Sequence, residues 1–535
     1  MSVLSRRDLL AGATAALPAQ SAAQTVYRTP TARRPNILCI MVDEMRWDAM
    51  SCQGHPLVET PALDKLAQQG TRFENCYTVS PVCCPARACF FSSRYAHVNG
   101  VESNGYPARN GEIFLPTILR HHGYHTAISG KLHYTPKQFD YGFDQFWTFT
   151  NEGPTPELGY IAYLQKTYGS PAKWPRVEGS CPWPNDELGR DVGVFLHKAA
   201  DFETEWITDR SLDYLRSRQK EQKPWFLFTS YLKPHSPSVE PQPWFGKYKP
   251  SDIPMPALPA NAREIRASKR GRQRRAFVDD PEMVRIMSAI YYGSIAHIDN
   301  QIARLLAELD RLGMADNTLV MFTADHGNML GDHGRWFKGV MYEGSARVPM
   351  LWRGPKGSRE NGGKVVRQAI ENTDVMPALL EAAGLPIPEG LQGRSFLKLA
   401  RSGDPNWKGT VFSQLRDRMW LENGFKYIES GASGQGTPEL YDLRNDPREQ
   451  RNLAADPAHN ARLAHARQRI AAVQTATPPA LRVPGMSTPL YAHVDEAERR
   501  QAIHNAPDNV EAREAGRAPA GATPTRERKP GRKKR

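Results

Sequence analysis

Four short apolar runs, each breaking off at residues of strong chemistry, constrain this chain more than anything else in it. Asn36-Ile37-Leu38-Cys39-Ile40-Met41 leads to Asp43-Glu44, and His125-Thr126-Ala127-Ile128-Ser129 leads to Gly130-Lys131-Leu132-His133. Trp225-Phe226-Leu227-Phe228-Thr229-Ser230-Tyr231 leads to Lys233-Pro234-His235, and Leu319-Val320-Met321-Phe322-Thr323 leads to Asp325-His326-Gly327. Runs that are continuously apolar, rather than apolar at every second position, are buried on both faces, as in a parallel sheet covered by helices. Helical segments alternate with them. Over 287–312, Tyr291, Ile295, Ile298, Ile302, Leu305 and Leu309 trace one face, and Gly313 reads as the C-terminal cap. The alternation predicts an α/β domain with a large mixed, mostly parallel sheet flanked by helices. Ligands of such sheets gather at the carboxyl ends of strands, where these polar groups fall.

The pattern changes near residue 400. Short β-like pieces (Thr410-Val411-Phe412, Phe425-Lys426-Tyr427-Ile428, Glu439-Leu440-Tyr441-Asp442-Leu443) and a helical stretch near 457–475 predict a smaller C-terminal α+β subdomain over 405–476, after a main domain over 34–400. Residues 477–535 are expected to form an extended arm that becomes disordered towards its basic end. The formal charge of +13 is concentrated in two places. Arg526–Arg535 and Arg263–Arg275 each carry seven basic residues against one acid, so the remainder is nearly neutral. Both read as solvated segments rather than a nucleic-acid surface. At the start, Ser5-Arg6-Arg7-Asp8-Leu9-Leu10, a mildly apolar run to Leu17 and Ser21-Ala22-Ala23 fit a twin-arginine signal peptide over 1–23. No stretch is long and apolar enough to predict a membrane span. The expectation is a periplasmic or secreted protein carried by the twin-arginine machinery.

The segment Pro81-Val82-Cys83-Cys84-Pro85-Ala86-Arg87 puts a cysteine just before a Pro-initiated helix, with an arginine one turn on. Backbone N–H groups and the helix dipole there favour negative charge, so the place suits an oxyanion and an activated nucleophile. The bland alternative is that Cys83 is one more buried thiol. A metal cluster of Cys76, Cys83, Cys84 and Cys89 is a third reading, although the paired hairpin spacing of structural zinc sites is missing. Seven cysteines make an odd count, from which no full disulfide framework follows. Asp43 and Glu44 after one run, with Asp325 and His326 after another, offer the ligands a hard divalent cation wants. Taken singly, each aspartate is as well explained as a turn former or cap.

These residues resemble the sulfatase family of the alkaline-phosphatase-like superfamily. Cys83 to Arg87 matches Cys-x-Pro-x-Arg, and Gly-Lys-x-His, Lys-Pro-His-x-Pro and Trp-x-Lys are matched at Lys131 and His133, at His235, and at Lys338. The likeness runs from about Arg34 to about Ala455 and implies a sulfuric ester hydrolase acting on a sulfate monoester. It implies that a maturation enzyme oxidises Cys83 to formylglycine (3-oxoalanine), whose hydrate attacks sulfur. It also implies a divalent metal at Asp43, Glu44, Cys83, Asp325 and His326, calcium first, with Mg²⁺ or Mn²⁺ as alternatives because His326 replaces the commoner Asn. By the same resemblance Arg87 and Lys131 stabilise the modified residue, and His133 acts as base on its gem-diol. His235 and Lys338 bind sulfate and help protonate the leaving oxygen, and Asn104 in Glu102-Ser103-Asn104-Gly105 is a further sulfate contact. Phe91-Ser92-Ser93-Arg94 departs from the usual Leu-Thr-Gly-Arg that helps guide maturation. Two alternatives stand beside this: a phosphonate monoester or phosphodiester hydrolase of the same superfamily, and a non-catalytic sulfoglycan-binding relative. The chemical identity of the ester is expected to be set by 145–195 and 236–280.

Overall fold

The computed structural model describes residues 34–149, 152–170, 177–178, 192–256, 258–259, 280–431, 436–486 and 496–505. The signal-like segment 1–23, Cys181, the basic stretch 263–275 and the basic end 526–535 lie outside these residues. In chain order the strands are β1 (Asn36–Asp43), β2 (Thr71–Tyr77), β3 (His125–Gly130), β4 (Gln145–Thr148), β5 (Val177–Glu178), β6 (Val192–Phe195), β7 (Trp225–Pro234) and β8 (Ser238–Pro241). There follow β9 (Thr318–Ala324), β10 (Arg347–Arg353), β11 (Lys364–Val366), β12 (Ile370–Glu371), β13 (Val411–Gln414), β14 (Arg418–Glu422), β15 (Phe425–Glu429) and β16 (Glu439–Asp442).

Among the described residues the main sheet has nine strands in the order β11-β2-β10-β9-β1-β7-β3-β4, with β12 also on β2. β10 alone runs against its neighbours; the other pairings are parallel. The four runs that read as buried strands are β1, β3, β7 and β9. β1 is buried at every position because β7 and β9 flank it and helices cover both faces. Register then aligns the strand ends. Val42 pairs with Ala324 and Gly130 with Ser230, so Asp43, Asp325 and Lys131 leave the sheet side by side. Gly130 sits at φ +107°, and a Cβ there would lie 1.9 Å from the Ser230 carbonyl oxygen, so no larger residue fits between β3 and β7.

Four helices matter for the argument: α1 (Cys83–Ser92), α2 (Glu203–Arg218), α3 (Pro281–Arg311) and α4 (Asn460–Thr475). α3 starts six residues before the apolar stripe does, because the Asp280 side chain caps it by accepting from the amides of Glu282 and Met283. Gly313 follows in the left-handed conformation at φ +68°. The C-terminal strands β13 to β16 form a four-stranded antiparallel sheet whose residues alternate between faces. Val411, Met419, Leu421 and Ile428 pack on Met329, Met341 and Tyr342 of the main layer, while Phe412, Trp420 and Tyr427 receive Leu463, Ala466 and Ile470 of α4. Beyond α4, Leu481 and Val483 are buried in the main core and Arg482 bridges to Glu389. A last described helix spans Glu496–Asn505, where Arg499 donates to the Gly100 carbonyl. No helix among the described residues is long and apolar enough to cross a membrane.

Candidate active site

Cys83 is not just before α1 but is its first residue, with Val82 as the extended N-cap. Pro85 is therefore third in the helix, still within the turn whose N–H groups lack partners, so its missing donor costs nothing. Around the Cys83 sulfur the ends of three parallel strands converge. Its Sγ lies 3.2 Å from His326 Nε2 and donates to Asp43 Oδ1 at 3.7 Å. His133 comes within hydrogen-bonding reach of the same sulfur.

Asp43, Cys83, Asp325 and His326 each offer a ligand atom, and all four atoms lie within 4.8 Å of one another. All four residues are buried, and two carboxylates, an imidazole and the group at position 83 form a donor set that fits a hard-to-borderline divalent cation. The His326 Nδ1 is engaged with the Gly327 carbonyl oxygen at 3.0 Å, which leaves Nε2 facing the other donors. Glu44 stands apart from this set. Its Oε1 accepts from Asn328 and its Oε2 from the Lys338 ammonium, both at 2.9 Å, and it shares a second group of three with Asp43 and His235.

The cations are arranged around these carboxylates. Arg87, wholly buried, donates from Nε to Asp325 Oδ2 at 2.8 Å, from Nη1 to Ser230 Oγ and the Lys131 carbonyl at 2.8 Å, and from Nη2 to Asp43 Oδ2 at 3.5 Å. The Lys131 ammonium bonds Asp43 Oδ2 as well. His235 Nε2 is 3.7 Å from Glu44 Oε2, and its side chain is 25 % exposed against 14 % for Lys338. Asn104 turns its Oδ1 to the Cys84 amide at 2.9 Å, so it closes the N-terminus of α1.

Charge follows from this packing. Burial pushes the Cys83 thiol up, but Lys131, Lys338 and His326 outweigh it and hold it well below its ordinary value. Burial and Cys83 likewise raise Asp43, and Lys131, His235 and Arg87 bring it below the usual carboxylate range. Burial disfavours the His326 cation, yet Asp325 and Cys83 push it up to about 9. Lys131 and Lys338 end above their ordinary values despite burial, through Asp43 and Glu44. The neighbouring Cys76, Cys84 and Cys89 are raised by burial, the behaviour of inert core thiols, and no disulfide occurs among the described residues. The four-cysteine metal reading thus finds no support: only Cys83 of the four belongs to a ligand group.

Three residues of the site, Glu44, His133 and Phe337, adopt left-handed backbone at φ +68°, +64° and +65°. Such conformations are costly away from glycine and persist where the surroundings dictate them. The surroundings are residues that motif reading did not single out. Glu152 Oε2 accepts from the amides of Leu132 at 3.3 Å and His133 at 2.9 Å. Asn328 Oδ1 accepts from the amides of Leu330 and Phe337 at 3.0 Å. Asn328 was within sight, two residues beyond His326; nothing in the sequence around Glu152 points to it.

A mixed, mostly parallel sheet with this buried cluster on its carboxyl edge defines a hydrolase of the alkaline-phosphatase-like superfamily. The sulfatase family model matches residues 35–385, and that of the N-sulphoglucosamine sulphohydrolase C-terminal region matches 331–476. The chain belongs to the sulfatase family. It is 31 % identical to an arylsulfatase of Clostridium perfringens over 464 residues, covering 81 % of this chain and 93 % of the relative. It is 30 % identical over 490 residues to the multifunctional alkaline phosphatase superfamily protein PehA of Trinickia caryophylli, covering 80 % of this chain and 93 % of that one. The crystal structure of a phosphonate monoester hydrolase of Agrobacterium radiobacter superposes with a TM-score of 0.71 at 25 % identity, covering 82 % of this chain and 95 % of that chain.

Proposed function

We propose that this sulfatase is an exported sulfuric ester hydrolase that cleaves a sulfate monoester to an alcohol and inorganic sulfate, using a formylglycine derived from Cys83. The observation that carries it is the meeting of Cys83 with Asp43, Asp325 and His326 inside a ring of Arg87, Lys131 and Lys338. When present, the hydrated aldehyde at position 83 supplies the nucleophilic oxygen, and a divalent cation on Asp43, Asp325 and His326, with Glu44 nearby, supplies positive charge for the sulfate oxygens. Calcium is the first choice, with Mg²⁺ or Mn²⁺ as alternatives, His326 favouring a more borderline ion. Lys131 and Arg87 neutralise Asp43 and Asp325 and fix their orientation. Lys338 and His235 sit on the open side and would bind the sulfate oxygens; His235, the more exposed, would give its proton to the leaving alcohol. His133 would take the proton whose removal releases sulfate, and Asn104 would keep the amides at the start of α1 turned to the anion. In this proposal 1–23 direct twin-arginine export to the periplasm or medium, 34–400 carry the catalysis and 405–476 complete the site, while the expected arm from 477 begins by packing Leu481 and Val483 into the main core rather than standing outside it.

Mass spectrometry of the peptide carrying position 83 tests the chemistry: an aldehyde is expected, and an unmodified thiol in fully active protein would sink it. Adding Ca²⁺ or Mn²⁺ to chelated protein should raise its melting temperature, and Asp325→Asn should abolish that rise. The second reading, a phosphonate monoester or phosphodiester hydrolase, is favoured by the likeness to the Agrobacterium phosphonate monoester hydrolase. Turnover of an aryl sulfate and an aryl phosphonate by one preparation decides between them.

A further inference from the structure

Lys426, on β15, is a lysine with no exposed surface. Its ammonium pairs with Glu343 at 2.6 Å and Glu449 at 2.7 Å, and donates to the Met341 carbonyl oxygen at 3.0 Å. Burying such a charge costs several kcal/mol unless good geometry offsets it, and an apolar side chain of similar volume commonly does as well for stability. The apolar contacts between the C-terminal sheet and Met329, Met341 and Tyr342 already supply adhesion. The cluster therefore calls for another explanation, and its partners suggest one. Met341 and Glu343 belong to the turn that follows Lys338. The Glu343 amide donates to Glu449 at 2.8 Å, and the Tyr342 hydroxyl donates to Glu439 of β16 at 2.8 Å. From the other side the Gly339 amide donates to the carbonyl oxygen of Pro81, two residues before Cys83, at 3.0 Å. Segment 338–343 is thus strung between the nucleophile helix and the C-terminal sheet, with the Lys338 ammonium 2.9 Å from Glu44 between the two anchors.

We infer that Lys426 is a positioning residue for Lys338. Through the Lys426–Glu343–Glu449 cluster the C-terminal sheet sets where the Lys338 ammonium stands, and with it the grip on the anionic part of the substrate. This rests on the reading of Lys338 as an anion-binding group.

The test uses the full chain, with modification at position 83 matched by mass spectrometry. The variants are Lys426→Met, Tyr342→Phe, Lys338→Ala, the Lys426→Met/Lys338→Ala double variant, and Leu463→Ala, which weakens the packing of α4 on the far face of the same sheet. KM and kcat for an aryl sulfate, the inhibition constant of inorganic sulfate and the urea midpoint are measured for each. Lys426→Met should raise KM and the inhibition constant about fivefold or more and Tyr342→Phe by about two- to threefold, as expected for loosening one or two hydrogen bonds. Leu463→Ala should lower the midpoint without moving either constant, and Lys426→Met should add nothing once Lys338 is absent. Effects of Lys426→Met that persist in the Lys338→Ala background, or that Leu463→Ala reproduces, overturn the inference. A loss in Lys338→Ala with none in Lys426→Met and Tyr342→Phe also overturns it alone, whereas an unchanged Lys338→Ala removes the anion-binding role as well. Should Lys426→Met fail to fold, Tyr342→Phe, which keeps the ring stacked on His333 at 4.1 Å, still decides.

Discussion

Arg87 ties the site together from below. Four acceptors, three side chains and one carbonyl, share its guanidinium, and two of them are the carboxylates of Asp43 and Asp325. A lysine in its place would keep the charge but lose the planar fork that reaches both aspartates. Replacing it by methionine leaves the buried Asp325 without its guanidinium partner, while Asp43 keeps Lys131. Arg87→Met is expected to cost about 3–5 kcal/mol in urea unfolding, the usual result of breaking a buried pair by removing one partner. The double replacement Arg87→Met/Asp325→Asn should recover part of that loss, and the absence of any recovery would show that the ion pair is not the source.

At the scale of elements, His297 of α3 does for the helices what Arg87 does for the strands. Its Nε2 meets Glu205 of α2 and its Nδ1 meets Glu240 of β8, both at 2.8 Å, and it stacks between Trp244 and Phe202. Burial disfavours the cation, but the two glutamates outweigh it and push the imidazole up to about 9. Its folded value thus lies above the ordinary 6.5, so the stabilisation is complete below pH 6.5 and is lost as pH rises through about 9. It amounts to about 3 kcal/mol. Urea midpoints of the parent protein should therefore fall between pH 6.5 and 9, and His297→Gln should flatten that slope. A parent whose midpoint does not change over this range would contradict the assignment. The elements also show what a sequence discloses. β1, β3, β7 and β9 were legible because strands buried on both faces are apolar throughout. The reversed sense of β10 was not, since Arg347–Arg353 has the composition of a parallel strand and direction is decided by its connections. β4 lies in a Trp-, Pro- and Gly-rich stretch that reads as loop. In the site, the meeting of Asp43, Cys83, Asp325 and His326 followed from strand ends and motifs. The engagement of Glu44 by Lys338 and Asn328 did not, because its side chain's direction is set by a left-handed backbone that tertiary contacts impose.

At the scale of the whole molecule, the described stretch just beyond α4 is anchored in the main core. Leu481 and Val483 are buried there, and burying a side chain of this size is worth about 1.5–3 kcal/mol. A chain ending at Thr475 should unfold at clearly lower urea than one ending at Asn505, which keeps these contacts; equal midpoints would show that the arm adds nothing. The same topology carries a consequence in time. Cys83 and the His326 that closes over it are 243 residues apart, and Cys83 ends only 2 % exposed. At translation speeds of about 5–20 residues per second, roughly 10–50 s pass between the emergence of one and of the other. During that interval the thiol is open to any enzyme that works on it, and once β9 docks it is shut away. Under the proposed maturation of Cys83, synonymous codons that slow synthesis between 83 and 326 should raise the fraction modified, as read by mass spectrometry of the peptide carrying position 83.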